Sequence, residues 1–159
     1  MEEVPYTRWL DDEQQMVWRS CLAGSACILA QLGLALRQFD LDINEYEILV
    51  RLSECNPHAL RMSELAKDTY QSRSRLTHTV SRMEKRGLVT RRRAPEDRRG
   101  IIAELTEAGM GLLRTAAPAH VESVRRVLID RIAREDLKAL GRIMTAVLEG
   151  APADPYARC

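Results

Sequence analysis

Residues 63–106 read SELAKDTYQSRSRLTHTVSRMEKRGLVTRRRAPEDRRGIIAELT, and this stretch decides the fold. Ser63 suits the N-cap of a short helix over 64–68. Thr69, Tyr70 and Gln71 form a turn, and Ser72 caps a second helix over 73–86 that Gly87 ends. Within that helix Leu76, Val80 and Met83 recur at i, i+4 and i+7, which predicts one buried stripe. The opposite face holds Ser74, His78, Ser81 and Lys85, flanked by Arg75, Thr77 and Arg82. Residues 88–93 and 101–105 then predict two strands, the second alternating Ile101, Ala103 and Leu105 with Ile102 and Glu104. Residues 94–100, Pro near the start and Gly at the end, form a basic loop between them.

Charge is concentrated in the same place. From Arg61 to Arg99 there are 12 Lys and Arg against 5 Asp and Glu, a local +7, while the whole chain carries only +1. The remainder is therefore −6, so a site for a polyanion sits on an acidic body.

Working outward, residues 11–38 predict one long helix with Asp11, Asp12 and Glu13 at its favourable end. From 21 to 36 it is apolar on nearly every side. Such a helix needs burial all round, which a chain of 159 residues supplies through a partner subunit. A membrane anchor is the rival reading, interrupted by Gln31 and Arg37. No apolar run is read as long enough to span a bilayer. Asn44 is read as the cap of a helix over 45–52, with Tyr46 and Leu49 inward. Asn56-Pro57 marks a turn.

Thr106 caps a further long helix whose stripe is Leu113, Ala117, Val121, Val124, Leu128 and Ile132, with a kink expected at Pro118. A last helix over 134–149 places Leu137, Leu140, Ile143, Met144 and Val147 inward. The fold class is mainly α. A helix, a turn, a second helix and a basic hairpin lie between long apolar helices.

The four cysteines, Cys21, Cys27, Cys55 and Cys159, include no C-x-x-C pair. Cys21 and Cys27 read as small core residues. The acidic, polar N-terminal residues are unlike a secretory signal, and the expected compartment is the cytoplasm. Nucleophile–base pairs, metal-ligand spacings and phosphate-cradling glycine loops are absent from the sequence, so neither an enzyme nor a cofactor or metal protein is expected.

A helix entering a DNA major groove needs short polar or cationic side chains in its first two turns. Ser72, Arg73, Ser74, Arg75, Thr77 and His78 meet that need. Arg82 and Lys85, farther along, are expected to meet the phosphate backbone. Arginines at the hairpin tip, Arg98 and Arg99, suit the negative potential of an adjacent minor groove. Asp97 is expected to pair with Arg99 and hold the tip in shape.

EYEILVRLSE (45–54), MSELAKDTYQSRSRLTHTVSRMEKRGLVTRR (62–92) and PEDRRGIIAELTEAG (95–109) together resemble the MarR family of bacterial transcription regulators. The wing motif D-x-R followed by L-T is present as Asp97, Arg99, Leu105 and Thr106. The resemblance implies a winged helix-turn-helix with a small β-hairpin wing and a helical dimerisation domain, in a homodimer that binds a palindromic double-stranded DNA operator, usually as a repressor. By it, Ser74, Arg75, Thr77 and His78 match recognition-helix contacts and Arg99 the minor-groove arginine. Gly100 stands where the family more often has Ser or Ala, which implies a looser wing. Ala133 stands where the last helix often has a Ser or Thr cap.

The resemblance further implies release by a small aromatic or phenolic acid. Trp18 and Arg19 are the first candidates to hold it, a stacking face and a carboxylate partner, with Tyr46 and His120 after them. Packing of Trp18 in a subunit interface and surface pairing of Arg19 explain the two residues equally well. A thiol-based redox switch at Cys21 is one rival reading of the regulator. A module that keeps the fold for protein interaction without binding DNA is another. The organisation expected is a dimerisation helix over 7–43, a winged DNA-binding domain over 44–106, dimerisation helices over 107–150 and a flexible tail over 151–159.

Overall fold

The computed structural model describes residues 7–95 and 97–150, with the backbone alone at Arg98 and Arg99. The expected tail at 151–159 lies outside the described residues. Helix α1 spans Asp12–Leu36 and starts at a capping box. The Asp11 carboxylate accepts from the Gln14 N–H at 2.8 Å, and the Gln14 side chain accepts from the Asp11 N–H at 3.2 Å. A short 3-10 turn, Arg37–Phe39, follows and ends at Asp40 in the left-handed region (φ 55°).

Helix α2, Ile43–Glu54, begins earlier than Asn44 suggests. Asp42 is the cap: its carboxylate accepts from the Glu45 N–H at 2.9 Å, and Glu45 accepts in return at 3.1 Å. A D-x-x-E pair satisfies two orphan amides where Asn44 could satisfy one, so the longer helix wins.

Strand β1, Ala59–Arg61, runs straight into helix α3, Met62–Asp68, leaving Arg61 rather than Ser63 at the cap position, with no side-chain bond capping the helix. Helix α4 is Arg73–Lys85, capped by Ser72, whose hydroxyl accepts from the Arg75 N–H at 3.3 Å. Gly87, at φ 70°, turns the chain back after it. Strands β2, Val89–Ala94, and β3, Asp97–Leu105, pair antiparallel, and the sheet order is β1-β3-β2. Pairing continues to Ala94 opposite Asp97 after a register shift at Arg93/Ala94, so the hairpin is zipped closer to its tip than the loop expected over 94–100.

The buried stripe of α4 is as the period predicts: Leu76, Val80 and Met83 are fully buried. They meet Ile48, Leu49 and Leu52 of α2, Leu65 of α3, and Val89 and Ala103 of the sheet. Each large apolar side chain among them contributes roughly 1.5–3 kcal/mol by leaving water. Thr106 ties the sheet to helix α5, Glu107–Val127. Its hydroxyl donates toward the Gly87 and Leu88 carbonyls (2.7 and 2.9 Å) and accepts from the Gly109 N–H at 3.0 Å. Gly109 has to be glycine here, because a Cβ would run into the Leu88 carbonyl.

The outer helices depart from expectation. In α5 the buried positions are Gly109, Leu113, Ala116 and Ser123, while Val121 is exposed. The helix turns its Leu113–Ala116–Ser123 line to the body, and Ser123 Oγ donates to the Gln31 carbonyl of α1 at 3.3 Å. Pro118 lies inside α5, which ends at Val127 before a 3-10 turn, Ile129–Arg131. Helix α6, Arg134–Gly150, buries none of its residues; Ile143, Met144 and Val147 face out rather than in. Helix α1 buries only Leu36, leaving Trp18, Leu22, Leu29, Cys21 and Cys27 exposed. The cysteines are thus not core residues, because α1 projects from the core instead of crossing it. Asp12–Phe39 is also long and apolar enough to cross a membrane, so the expectation that no run is fails.

Candidate nucleic-acid interface

Burying Leu76, Thr79, Val80 and Met83 fixes the rotation of α4 and turns the opposite face outward. Arg73, Ser74, Arg75, Thr77, His78, Arg82 and Lys85 lie toward solvent on it, and Ser72 is half-buried as the cap. Thr77 donates its hydroxyl to the Arg73 carbonyl at 2.8 Å, which leaves its oxygen free to accept. Among the described residues Arg73, Arg75 and Lys85 have no carboxylate partner. Their charge is uncompensated.

Arg82, expected to meet the phosphate backbone, also has partners within the chain. Its Nη2 lies 2.7 Å from Asp42 Oδ2 and 3.3 Å from Glu45 Oε1. Arg86 reaches Glu45 Oε2 and Asp40 Oδ2, both at 3.4 Å. Glu45 is only 5% exposed, so two arginines at the end of α4 hold a buried carboxylate of α2. This network anchors α4 to α2 and draws Arg82 away from a purely backbone-gripping role. The sequence signal was the i,i+4 pair Arg82 and Arg86 facing a D-x-x-E cap.

The wing cations are similarly sorted. Arg91 grips Glu84 at 2.6 and 3.0 Å, and this pairing holds the Glu84 carboxyl below its usual pKa. Arg92 pairs with Glu104 at 3.0 Å. Arg93 stays exposed without a carboxylate partner among the described residues. The side chains of Arg98 and Arg99 lie outside the described residues, and with them the expected Asp97–Arg99 pair. Arg61, part of the basic segment but assigned no role by the sequence, bonds Asp97 Oδ2 at 3.4 Å. It does so across Gly100: a Cβ there would sit 2.7 Å from Arg61 Nη1 and 3.2 Å from Asp97 Oδ2. Gly100 therefore makes room for a brace from β1 to the wing, where a looser wing was expected. A cleft of about 340 Å³ separates the wing from the start of α4, with Arg73, Thr77 and Arg91 on its walls.

A second cleft, about 490 Å³, opens between α1, α2 and α5. It brings together two of the four expected effector residues. Tyr46 and His120 stack with ring centroids 4.3 Å apart and planes 29° apart. Burial raises the Tyr46 phenol and lowers the His120 imidazole from their ordinary pKa values. Trp18 and Arg19 are not in it. Trp18 lies eleven residues before the lining residue Leu29, about 16 Å of helical rise. Arg19 donates to Gln15 at 3.3 Å on the helix surface. Among the described residues no three His, Cys, Asp or Glu side chains come together as a metal site.

Residues 41–101 match the family model described as MarR family. AbsC, a MarR family transcriptional regulator from Streptomyces coelicolor, is 47% identical, with 90% of this chain and 97% of that one covered and a TM-score of 0.85. Sco3205, a MarR family regulator of the same organism solved in complex with DNA, is 42% identical, with 92% of both chains covered and a TM-score of 0.88. The transcriptional repressor MprA of Escherichia coli (strain K12) is 27% identical over 117 residues, 74% of this chain; the chain spans 63% of MprA's length. These relatives are transcription regulators and not enzymes. With its helix-turn-helix, its paired-strand wing and its D-x-R…L-T motif in place, the chain belongs to the MarR family of transcriptional regulators.

Proposed function

We propose that this chain works in the cytoplasm as a homodimeric repressor. It binds a two-fold symmetric DNA operator and leaves it when a small aromatic molecule occupies the cleft beside Tyr46 and His120. The observation that carries the DNA reading is the sorting of charge. Arg82, Arg86, Arg91 and Arg92 are paired with carboxylates, whereas Arg73, Arg75 and Lys85, on the exposed face of α4, have no carboxylate partner among the described residues. Unpaired cations beside short hydroxyl side chains are what base edges and phosphates require.

The solved complex of Sco3205 with DNA supports the same use of the fold, and the repressor MprA supports the sign of regulation. Dimerisation is supported by the apolar residues that α1 and α6 leave exposed, a feature that marks protein–protein contacts. Two copies would set two α4 helices at a fixed spacing, as a palindrome needs. The stacked rings of the cleft suit a flat effector.

The test is binding to the DNA upstream of the chain's own gene, measured by anisotropy over a salt series. Affinity falling steeply and linearly in log salt is expected, together with one dimer per site. Equal affinity for scrambled DNA of the same length would remove the operator reading.

A further inference from the structure

The effector cleft carries its own statement of ligand charge. We infer that it takes a small organic cation, an aromatic amine or amidine, and not the aromatic acid that the family resemblance implies; this rests on the reading of the cleft as the effector site.

The floor is apolar, built from Leu29 and Leu32 of α1 and Ile43 and Val50 of α2. Such a floor takes a flat hydrocarbon body. Beside it sit two polar groups that bond none of the described residues. Tyr46 is only 6% exposed, yet its hydroxyl makes no hydrogen bond with any described residue. His120 Nδ1 is buried and has no partner among the described residues. Unpaired polar atoms beside an open cavity mark where a ligand's polar end is accepted.

Charge decides what that end is. Three charged side chains line the cleft: Glu47, Arg51 and Glu54. Arg51 Nη1 is already held by Glu54 Oε2 at 3.2 Å. Glu47 has no ion pair within reach among the described residues, and burial raises its pKa in spite of Arg51 nearby. Two carboxylates against one guanidinium make the described lining net negative by one when all three are ionised. His120 offers no counter-charge to an acid, since burial favours its neutral form. A ligand carboxylate would enter beside Glu47 and would have to share Arg51 with Glu54, so its desolvation would be matched only in part. An ammonium or amidinium instead gains the Glu47 carboxylate, with the Tyr46 oxygen as a second acceptor.

The experiment compares benzamidine, benzylamine and benzoate, one ring with opposite charges. Each is titrated by calorimetry into the intact protein, and separately into the protein bound to labelled operator. Benzamidine or benzylamine is expected to bind and to release the operator, with benzoate at least about tenfold weaker, the value of one charge-assisted contact. Glu47→Gln is expected to weaken the amines about tenfold relative to that variant's own operator affinity. Glu54→Gln, which frees Arg51, is expected to narrow the gap between benzoate and the amines. Benzoate binding as tightly as the amines, or amines indifferent to Glu47→Gln, would overturn the cation assignment while leaving the cleft as the effector site. If none of the three binds a protein that still holds its operator, the effector-site reading itself fails, and the cation assignment with it.

Discussion

Two arginines on one helix, Arg75 and Arg82, look alike in sequence and differ in what they can do. Arg75 has no carboxylate partner among the described residues, whereas Arg82 is held by Asp42 and Glu45. A DNA phosphate must compete with those carboxylates for Arg82. Arg82→Ala is therefore expected to lower the salt slope of DNA binding less than Lys85→Ala does, read from affinity at several salt concentrations. Its stability cost should be small, about 1 kcal/mol or less, because its pairs are exposed on the Arg82 side. Arg82→Ala with Arg86→Ala leaves the Glu45 carboxylate buried and unpaired, at a cost of about 3 kcal/mol or more in urea unfolding. Gly100→Ala places a methyl on the Arg61 guanidinium. Operator affinity is expected to fall and the melting temperature to hold, since the Arg61–Asp97 pair is solvated. Unchanged affinity in both Gly100→Ala and Arg61→Ala would mean that the brace does not set the wing.

At the scale of elements, the periodic pattern was enough wherever one helix meets one core. The 3.6-residue spacing of Leu76, Val80 and Met83 fixed the rotation of α4, and the D-x-R…L-T spacing located the wing and the Thr106 cap. Three things were not legible. Ala117 and Val121 are as apolar as Leu113, and only the packing of α5 on α1 chooses the Leu113–Ala116–Ser123 line. Asn44 is a good cap taken alone, and it hides the stronger Asp42–Glu45 box that starts two residues earlier. Arg82 meets Asp42 across 40 residues of sequence, a distance that no local pattern reaches.

Two pH effects belong to this scale. The Glu84 pKa is lowered mainly by its bond to Arg91, so the tie between α4 and β2 is complete above the usual glutamate range and is lost as pH falls below that range, through the lowered folded-state value. The His120 pKa is lowered by burial, so the unfolded chain takes up that proton first. Folding stability is expected to drop as pH falls below the ordinary histidine range, and His120→Asn should flatten that part of a stability–pH profile. A profile unchanged by the substitution would place His120 in water.

For the whole molecule, α1 and α6 present apolar residues that no described part of the chain covers: Trp18, Leu22, Ile143, Met144, Val147 and Leu148. Their apolar character was readable, but their direction was not, because inward for a dimer is outward for one chain. Met144→Asp with Val147→Asp is expected to yield monomers by light scattering, with the helix signal largely kept because α2, α4 and the sheet hold their own core. Operator affinity should then fall steeply, since one α4 reads one half-site. A dimer persisting in that variant would assign the interface to other faces.

On the proposed function, α4 reads bases through Arg75 and grips phosphate through Lys85. This reading is tested most directly by measuring each alanine variant against operator and scrambled DNA at matched salt. Arg75→Ala is expected to lose about 1–3 kcal/mol on the operator and little on scrambled DNA, while Lys85→Ala is expected to weaken both alike. Operator binding left intact by both substitutions would contradict it.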